Sequence, residues 1–215
     1  IRGQGIARDE ARGEALLTRA AERNHLPALL ALGHLRKQQR RDDEAMRLWR
    51  AAGEGGFLEA QLFLGRIHLR GDGVPRSDEM AAQWLRLAAG QGHAGAQVQL
   101  ALMYFNGQGV TANLREAAKW YRRAAERGDQ RAQYNLAVML AKGDGIERND
   151  AEAIAWCAQA AEKGMPEAEL MLGDLIATGR GTEADPVAAR GWYEKAAAHG
   201  IAAARSRLAR GGSRS

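Results

Sequence analysis

Cysteine, proline and aromatic residues are all scarce in this chain. Its 215 residues hold one cysteine, four prolines and 6% aromatics. A single thiol, Cys157, excludes an internal disulfide framework and a cysteine-rich zinc site. No apolar run approaches the roughly 18 residues of a membrane span, so no spanning helix is expected. Catalytic signatures are missing as well. None of the histidines (His25, His34, His68, His93, His199) belongs to an H-E-x-x-H motif. No Gly-Lys-Ser/Thr follows the Gly-x-Gly sequences and no strand pattern precedes them, so they are not phosphate cradles. Acidic pairs such as Asp42/Asp43 and Asp78/Glu79 fall at helix starts, where the helix dipole already favours them. The expectation is a non-catalytic chain with no cofactor and no metal.

What the chain has in abundance is periodicity. Trp84, Trp120, Trp156 and Trp192 are spaced 36 apart, and so are Gly71/Gly73, Gly107/Gly109, Gly143/Gly145 and Gly179/Gly181. Ala60, Ala96, Ala132, Ala168 and Ala204 share that spacing, each followed four residues later by Leu64, Leu100, Leu136, Leu172 or Leu208. A fixed period of about 20–50 residues marks a protein built of stacked repeats, each packing only on its neighbours. Such chains serve mainly as binding surfaces.

One copy, residues 96–131, shows the physics. Apolar Ala96, Leu100, Met103 and Tyr104 fall on one helical face, which predicts a helix over 96–106. Gly107-Gln108-Gly109-Val110 breaks it, because glycine tolerates positive φ. Asn113 is the expected N-cap of a second helix, with Glu116 as its reciprocal capping-box partner; Asn149 and Glu152 repeat the pair. Ser77 and Asp185 occupy the same cap slot. Ala117, Trp120, Tyr121, Ala124 and Ala125 form the second stripe, and Gly128 ends it. The small Ala pairs let helices approach and the tryptophans fill the gap between hairpins, so all four are expected to be buried. Helices are predicted near 60–70, 78–90, 96–106, 114–127, 132–142, 150–163, 168–178, 186–199 and 202–210, with no β-sheet. The fold class is all-α, an α/α superhelix (solenoid) of helix-turn-helix repeats.

The chain reads as one array. Residues 1–27 are a partial repeat, with Leu16 and Leu17 in the Trp-Tyr slots, and 28–59 a shortened copy with Trp49 in the second aromatic slot. Full repeats cover 60–95, 96–131, 132–167 and 168–203, and 204–215 supplies a capping helix and a frayed tail beginning at Gly211. The chain opens on Ile1 in mid-repeat, since Gly3-Gln4-Gly5-Ile6 copies Gly143-Asp144-Gly145-Ile146, so the natural protein is expected to extend upstream. Formal charge is +5, part of it gathered at Arg36, Lys37, Arg40 and Arg41 and at Arg205, Arg207, Arg210 and Arg214. Interspersed charge favours solvated helix surfaces over a polyanion site, so nucleic acid is not the expected partner.

The residues Ala96, Leu100, Tyr104, Gly107, Gly109, Val110, Ala117, Trp120, Tyr121, Ala124, Ala125 and Gly128 resemble the consensus of the Sel1-like repeat family, relatives of tetratricopeptide repeats. The pattern recurs over 60–203. Departures are local: His68, Leu140 and Ile176 replace the first-helix tyrosine, and Leu85 and Cys157 the second aromatic. The resemblance implies a right-handed solenoid and a protein-binding role, as scaffold or adaptor in the bacterial envelope or periplasm; a cytoplasmic setting is the alternative. It also leaves open an immunity protein that neutralises a toxic enzyme. A basic-surface nucleic-acid or polyanion binder is the rival of another class, and steep loss of affinity with salt would favour it.

Single residues have mainly structural readings. His68 is expected to be a satisfied, half-buried side chain, His93 and His199 surface or capping groups, and Cys157 a packed small residue. The candidate binding surface is the remaining face of each first helix. Counting from the repeat alanine, positions 1, 5, 8 and 9 point to the core and positions 4, 7 and 11 to another face. That face carries Phe63, Arg66 and Arg70; Gln99, Leu102 and Asn106; Asn135, Val138 and Lys142; and Met171, Asp174 and Thr178. By analogy with tetratricopeptide repeats it lines a concave groove for a protein partner, and the chain alone is expected to be monomeric.

Overall fold

The computed structural model describes residues 9–212; the expected loop at Gly3–Ile6 and residues 213–215 of the expected tail lie outside them, whereas Gly211 and Gly212, expected to fray, continue the last helix. No strand occurs among the described residues. Helices α1 to α12 are Glu10–Glu22, Leu26–Gln38, Asp42–Glu54, Leu58–Arg70, Asp78–Gly90, Ala94–Asn106, Leu114–Glu126, Gln130–Lys142, Asp150–Glu162, Pro166–Thr178, Pro186–Ala198 and Ala202–Gly212. They fall into two compact units, one ending at Gln91 and the other beginning at Gly92. In each unit consecutive helices pair as antiparallel hairpins, and the second helix of one hairpin packs on the first helix of the next, as α3 does on α4 and α9 on α10. Each unit is thus a helical-repeat solenoid.

The period has a simple origin. From α4 to α11 every helix is 13 residues long, with seven-residue loops inside hairpins and three-residue turns between them. The 28–59 copy is short only in its inner loop, where Gln39–Arg41 replaces seven residues while α2 and α3 keep full length. First helices start two residues before the repeat alanine, because the cap sits three residues ahead of it. Asp129 accepts from the Ala132 N–H at 2.9 Å, and His93 Nδ1 from the Ala96 N–H at 3.1 Å.

Second-helix caps form where expected, with one correction. Asn113 accepts from the Glu116 N–H at 3.1 Å and Asn149 from the Glu152 N–H at 3.0 Å. The reciprocal half of the capping box is absent. The Asn113 N–H instead donates to the Tyr104 carbonyl at 2.8 Å and the Asn149 N–H to Leu140 at 3.0 Å. Ser77 to His68 (3.0 Å) and Asp185 to Ile176 (3.1 Å) repeat this bond, so one backbone link closes each seven-residue loop. Glu116 and Glu152 are thereby released to pair with Lys119 and Arg122.

The two loop glycines have different tasks. Gly143 caps α8 in the left-handed region at φ +81, and its N–H donates to the Met139 carbonyl at 2.8 Å. Gly145, at φ +69, lies against the start of α7, where an added methyl would sit 2.3 Å from the Leu114 backbone carbon. Gly181 meets Asp150 of α9 in the same way.

Core packing follows the alanines and leucines. Ala60, Leu64, Ala96, Leu100, Ala132, Leu136 and Ala168 are fully enclosed. The tryptophans divide. Trp84 and Trp120 are buried, whereas Trp156 and Trp192 are half-buried. The Trp156 indole N–H donates to Glu152 at 3.1 Å and Lys195 lies 3.9 Å over the Trp192 ring, contacts that hold both rings toward the surface. Tyr104 is likewise half-buried. Leu16 is 56% exposed and does not fill a tryptophan slot. His68 is buried rather than half-buried, and neither ring nitrogen has a well-formed hydrogen bond. Burial, then the Arg50 charge, pushes its pKa down, so the ring is neutral.

Position 2 of the first helices α4, α6, α8 and α10 holds a buried polar group that the pattern did not announce: Gln61, Gln97, Gln133 and Glu169. Gln61 donates to the Gly53 carbonyl at 2.9 Å and accepts from Gln91 at 2.8 Å. Gln133 accepts from Lys163 at 3.1 Å. Glu169 faces His199 at 2.9 Å. These three rungs tie a first helix to the turn after its own hairpin and give the buried group a partner, whereas the buried Gln97 Oε1 accepts no hydrogen bond among the described residues.

Cys157 is completely enclosed and its Sγ donates to the Ala168 carbonyl at 3.2 Å. Burial pushes the thiol up to about 12, so thiolate, the reactive form, is scarce at neutral pH. Iodoacetamide is expected to leave the native chain unlabelled at pH 8 and to alkylate it fully in urea. Rapid native labelling would show that the packing of α9 against α10 opens readily.

Candidate functional site

None of the twelve predicted face residues is buried, as an outward stripe requires. They divide between the two units. Phe63, Arg66 and Arg70 belong to the first unit. There Phe63 joins an aromatic cluster, 4.8 Å from the His34 ring and 4.6 Å from Trp49, with Arg66 over it at 5.6 Å. Burial and then the Arg66 charge lower the His34 pKa. Arg66 and Arg70 are exposed. In the second unit, Leu102 and Asn106 on α6 are exposed, and Gln99 and Asn135 are half-buried.

Val138, Lys142, Met171, Asp174 and Thr178 do converge. They line an open groove of about 870 Å³ in the second unit. Its walls come from the outward faces of α8 and α10 and from α12, and Tyr193 of α11 contributes to the lining. The helical repeat explains the convergence, because equal positions on successive first helices recur at the same face. Leu170, Leu175 and Ile201 add apolar surface beside Val138 and Met171.

Polar groups are set around that apolar surface. Asp174 accepts the Tyr193 hydroxyl at 2.9 Å and the Arg207 Nε–H at 2.8 Å. Burial first, and then the Asp174 hydrogen bond, pushes the Tyr193 phenol up to about 12. The Asp174 hydrogen bond and charge raise the Arg207 pKa. Arg180 donates to Asp150 at 2.7 Å and to the Ala141 carbonyl at 2.7 Å. Asp150 is shared with Arg148, and the two guanidinium groups, Arg148 foremost, hold its carboxyl far below the usual range. Lys142 is exposed and has no ion-pair or hydrogen-bond partner among the described residues.

Tyr134, Glu167, Arg180, Tyr193, Arg207 and Arg210 also line the groove but were not predicted. Arg207 and Arg210 were within reach, since they are positions 4 and 7 counted from Ala204. Reading the last copy as a cap hid them. Tyr193 sits in the second aromatic slot, which the helical pattern assigns to packing.

This chemistry suits noncovalent recognition. Among the described residues no group of three or more His, Cys, Asp or Glu is placed to hold a metal, and no helix is long and apolar enough to cross a membrane. Asp174 is engaged by two donors, Tyr193 stays protonated at neutral pH, and Cys157 is sealed away.

Comparison with known proteins places this geometry among relatives. The family profile described as Sel1 repeat matches residues 1–25, 58–93, 94–129, 130–165 and 166–201. It passes over the short-loop hairpin α2–α3. The crystal structure of a Sel1 repeat protein from Oxalobacter formigenes is 31% identical, with 91% of this chain and 82% of that chain covered and a TM-score of 0.76. A protective antigen present in uropathogenic Escherichia coli strains, displaying an SLR fold, is 29% identical over 91% of this chain, with a TM-score of 0.50. The match covers 50% of that protein. A search of curated protein sequences found no match.

Proposed function

The chain belongs to the Sel1 repeat family, whose members generally act as protein-interaction scaffolds and are typically non-catalytic, and on that premise we propose that it is an adaptor. It captures a segment of a partner protein on the outward face of its first helices, centred on the groove over α8, α10 and α12. The observation that supports this reading is the pooling of side chains from three successive copies around one open, largely apolar groove. Interfaces combine an apolar centre with a polar rim in this way.

A photo-crosslinking residue placed at Met171 tests the reading. It is expected to yield a discrete protein adduct in the native host. The same residue at Val187, which is 83% exposed on the second-helix face, is expected to yield none. Met171→Ala should weaken the captured partner about thirtyfold, the effect of an interface anchor of about 2 kcal/mol, with little change in melting. Adducts from Val187 alone would move the site to the other face.

The same proposal places the natural protein in the bacterial cell envelope; its recovery in the cytoplasmic fraction would remove that part and leave the groove reading intact. A captured toxic enzyme would make the chain an immunity protein, the narrower form of this reading.

A further inference from the structure

We propose that the groove over α8, α10 and α12 selects an acidic amphipathic segment, one whose apolar side chains seat against Met171, Leu175 and Ile201 while its side-chain carboxylates meet the basic rim. This rests on the groove being the partner site. The argument is charge complementarity. Lys142, Arg180, Arg207 and Arg210 line the groove against two acids, Glu167 and Asp174.

Pairing within the protein leaves this positive excess in place. Asp174 is already covered by the Tyr193 hydroxyl and the Arg207 guanidinium, so its charge is spent within the protein. Arg180 shares its one carboxylate, Asp150, with Arg148, so two guanidinium groups face a single negative charge. Lys142 has no partner among the described residues, and its ammonium stands at the end of α8 beside Val138. The side chains of Arg180 and Arg207 remain 39% and 41% exposed, so both can still reach an incoming carboxylate.

A nucleic-acid strand fits this surface less well. Backbone phosphates would satisfy the cations, but the apolar lining is mainly aliphatic (Val138, Met171, Leu175 and Ile201), and of its two tyrosines Tyr193 is buried with its hydroxyl on Asp174, which leaves bases little to stack on. A peptide supplies both chemistries at once. Its apolar residues account for affinity, and its carboxylates for selection and association rate.

Fluorescence anisotropy on the whole chain tests this with four labelled probes. Three are amphipathic helical peptides of equal length that carry leucine on one face and glutamate, glutamine or lysine on the other. The fourth is a single-stranded oligothymidylate. The glutamate peptide is expected to bind about tenfold more tightly than the glutamine peptide at low salt, with a preference that shrinks as salt screens the rim. Lys142→Glu should abolish most of that preference, and Met171→Ala should weaken both peptides alike. Equal binding of all three peptides, still weakened by Met171→Ala, would overturn the acidic selection and leave the groove as the partner site. Oligothymidylate binding that exceeds the glutamate peptide and ignores Met171→Ala would overturn the proposal in favour of a polyanion surface. No peptide binding, alongside a positive crosslink at Met171, would refute the acidic selection alone. Failure of both would remove the groove reading with it.

Discussion

Trp120→Ala is expected to destabilise the second unit by about 3–5 kcal/mol, the loss seen when a large aromatic is cut from a packed interior. Trp120 is only 8% exposed on a helix whose other inward residues, Tyr121 apart, are small: Ala117, Ala118, Ala124 and Ala125. Those alanines have no side chain long enough to collapse into the vacated space, which keeps the cavity open and the cost high. The Arg123 guanidinium, 4.7 Å from the indole centroid, loses its platform too. Because a repeat is stabilised through its neighbours, lost hydrogen-exchange protection should extend from α6–α7 into α8–α9. Protection that falls only in α6–α7 would show that the hairpins of this unit open independently. Trp120→Phe separates packing from the indole N–H, which has no hydrogen-bond partner. It should retain well over half of the stability, since the ring stays and a buried unpaired donor goes.

Gly145→Ala is the second large effect, and it should exceed Gly164→Ala although both glycines have positive φ. At Gly164, φ +78, an added methyl meets nothing within 4 Å, so only the left-handed backbone counts, about 1–2 kcal/mol. At Gly145 the same term applies, and the methyl also strikes the Leu114 backbone carbon at 2.3 Å and oxygen at 2.6 Å. Backbone cannot swing aside as a long side chain can, so overpacking adds about 1–3 kcal/mol. Urea midpoints for the two variants check the order. Equal shifts would mean that the 143–149 loop lifts off α7 without penalty.

Most of the architecture was legible because it repeats. A single copy with apolar residues at helical spacing is ambiguous, but four copies in register fix loop positions and helix lengths together. Helix starts were less legible because their caps share no residue type: Phe57, His93, Asp129 and Met165 fill the slot, and only His93 and Asp129 cap with a side chain. The capping box misled because Glu116 and Glu152 have the right spacing, whereas the competing bond from the cap N–H to the first helix is nonlocal. The buried Gln61, Gln97, Gln133 and Glu169 were invisible for a related reason. Polar residues beside the repeat alanine read as solvent-facing until the partner turn, some 30 residues on, is in place. For the groove, counting along first helices found five lining residues on α8 and α10. It stopped short of Arg207 and Arg210, where the pattern loses its second helix.

The buried rungs bear on how such an array grows and shrinks in a genome. Gln61 with Gln91, Gln133 with Lys163 and Glu169 with His199 each lie 30 positions apart, inside one 36-residue period. Misaligned recombination between neighbouring copies shifts the gene by a whole period and copies both partners of a rung together. A crossover inside a hairpin instead joins the first half of one copy to the second half of another. It can set the Glu169 carboxylate opposite a turn residue other than His199, such as Gln91, and so replace a matched rung by an unmatched one. Whole-repeat duplication or loss thus leaves each of these rungs with the partner it evolved beside, and the length of the array can drift while the rungs stay matched.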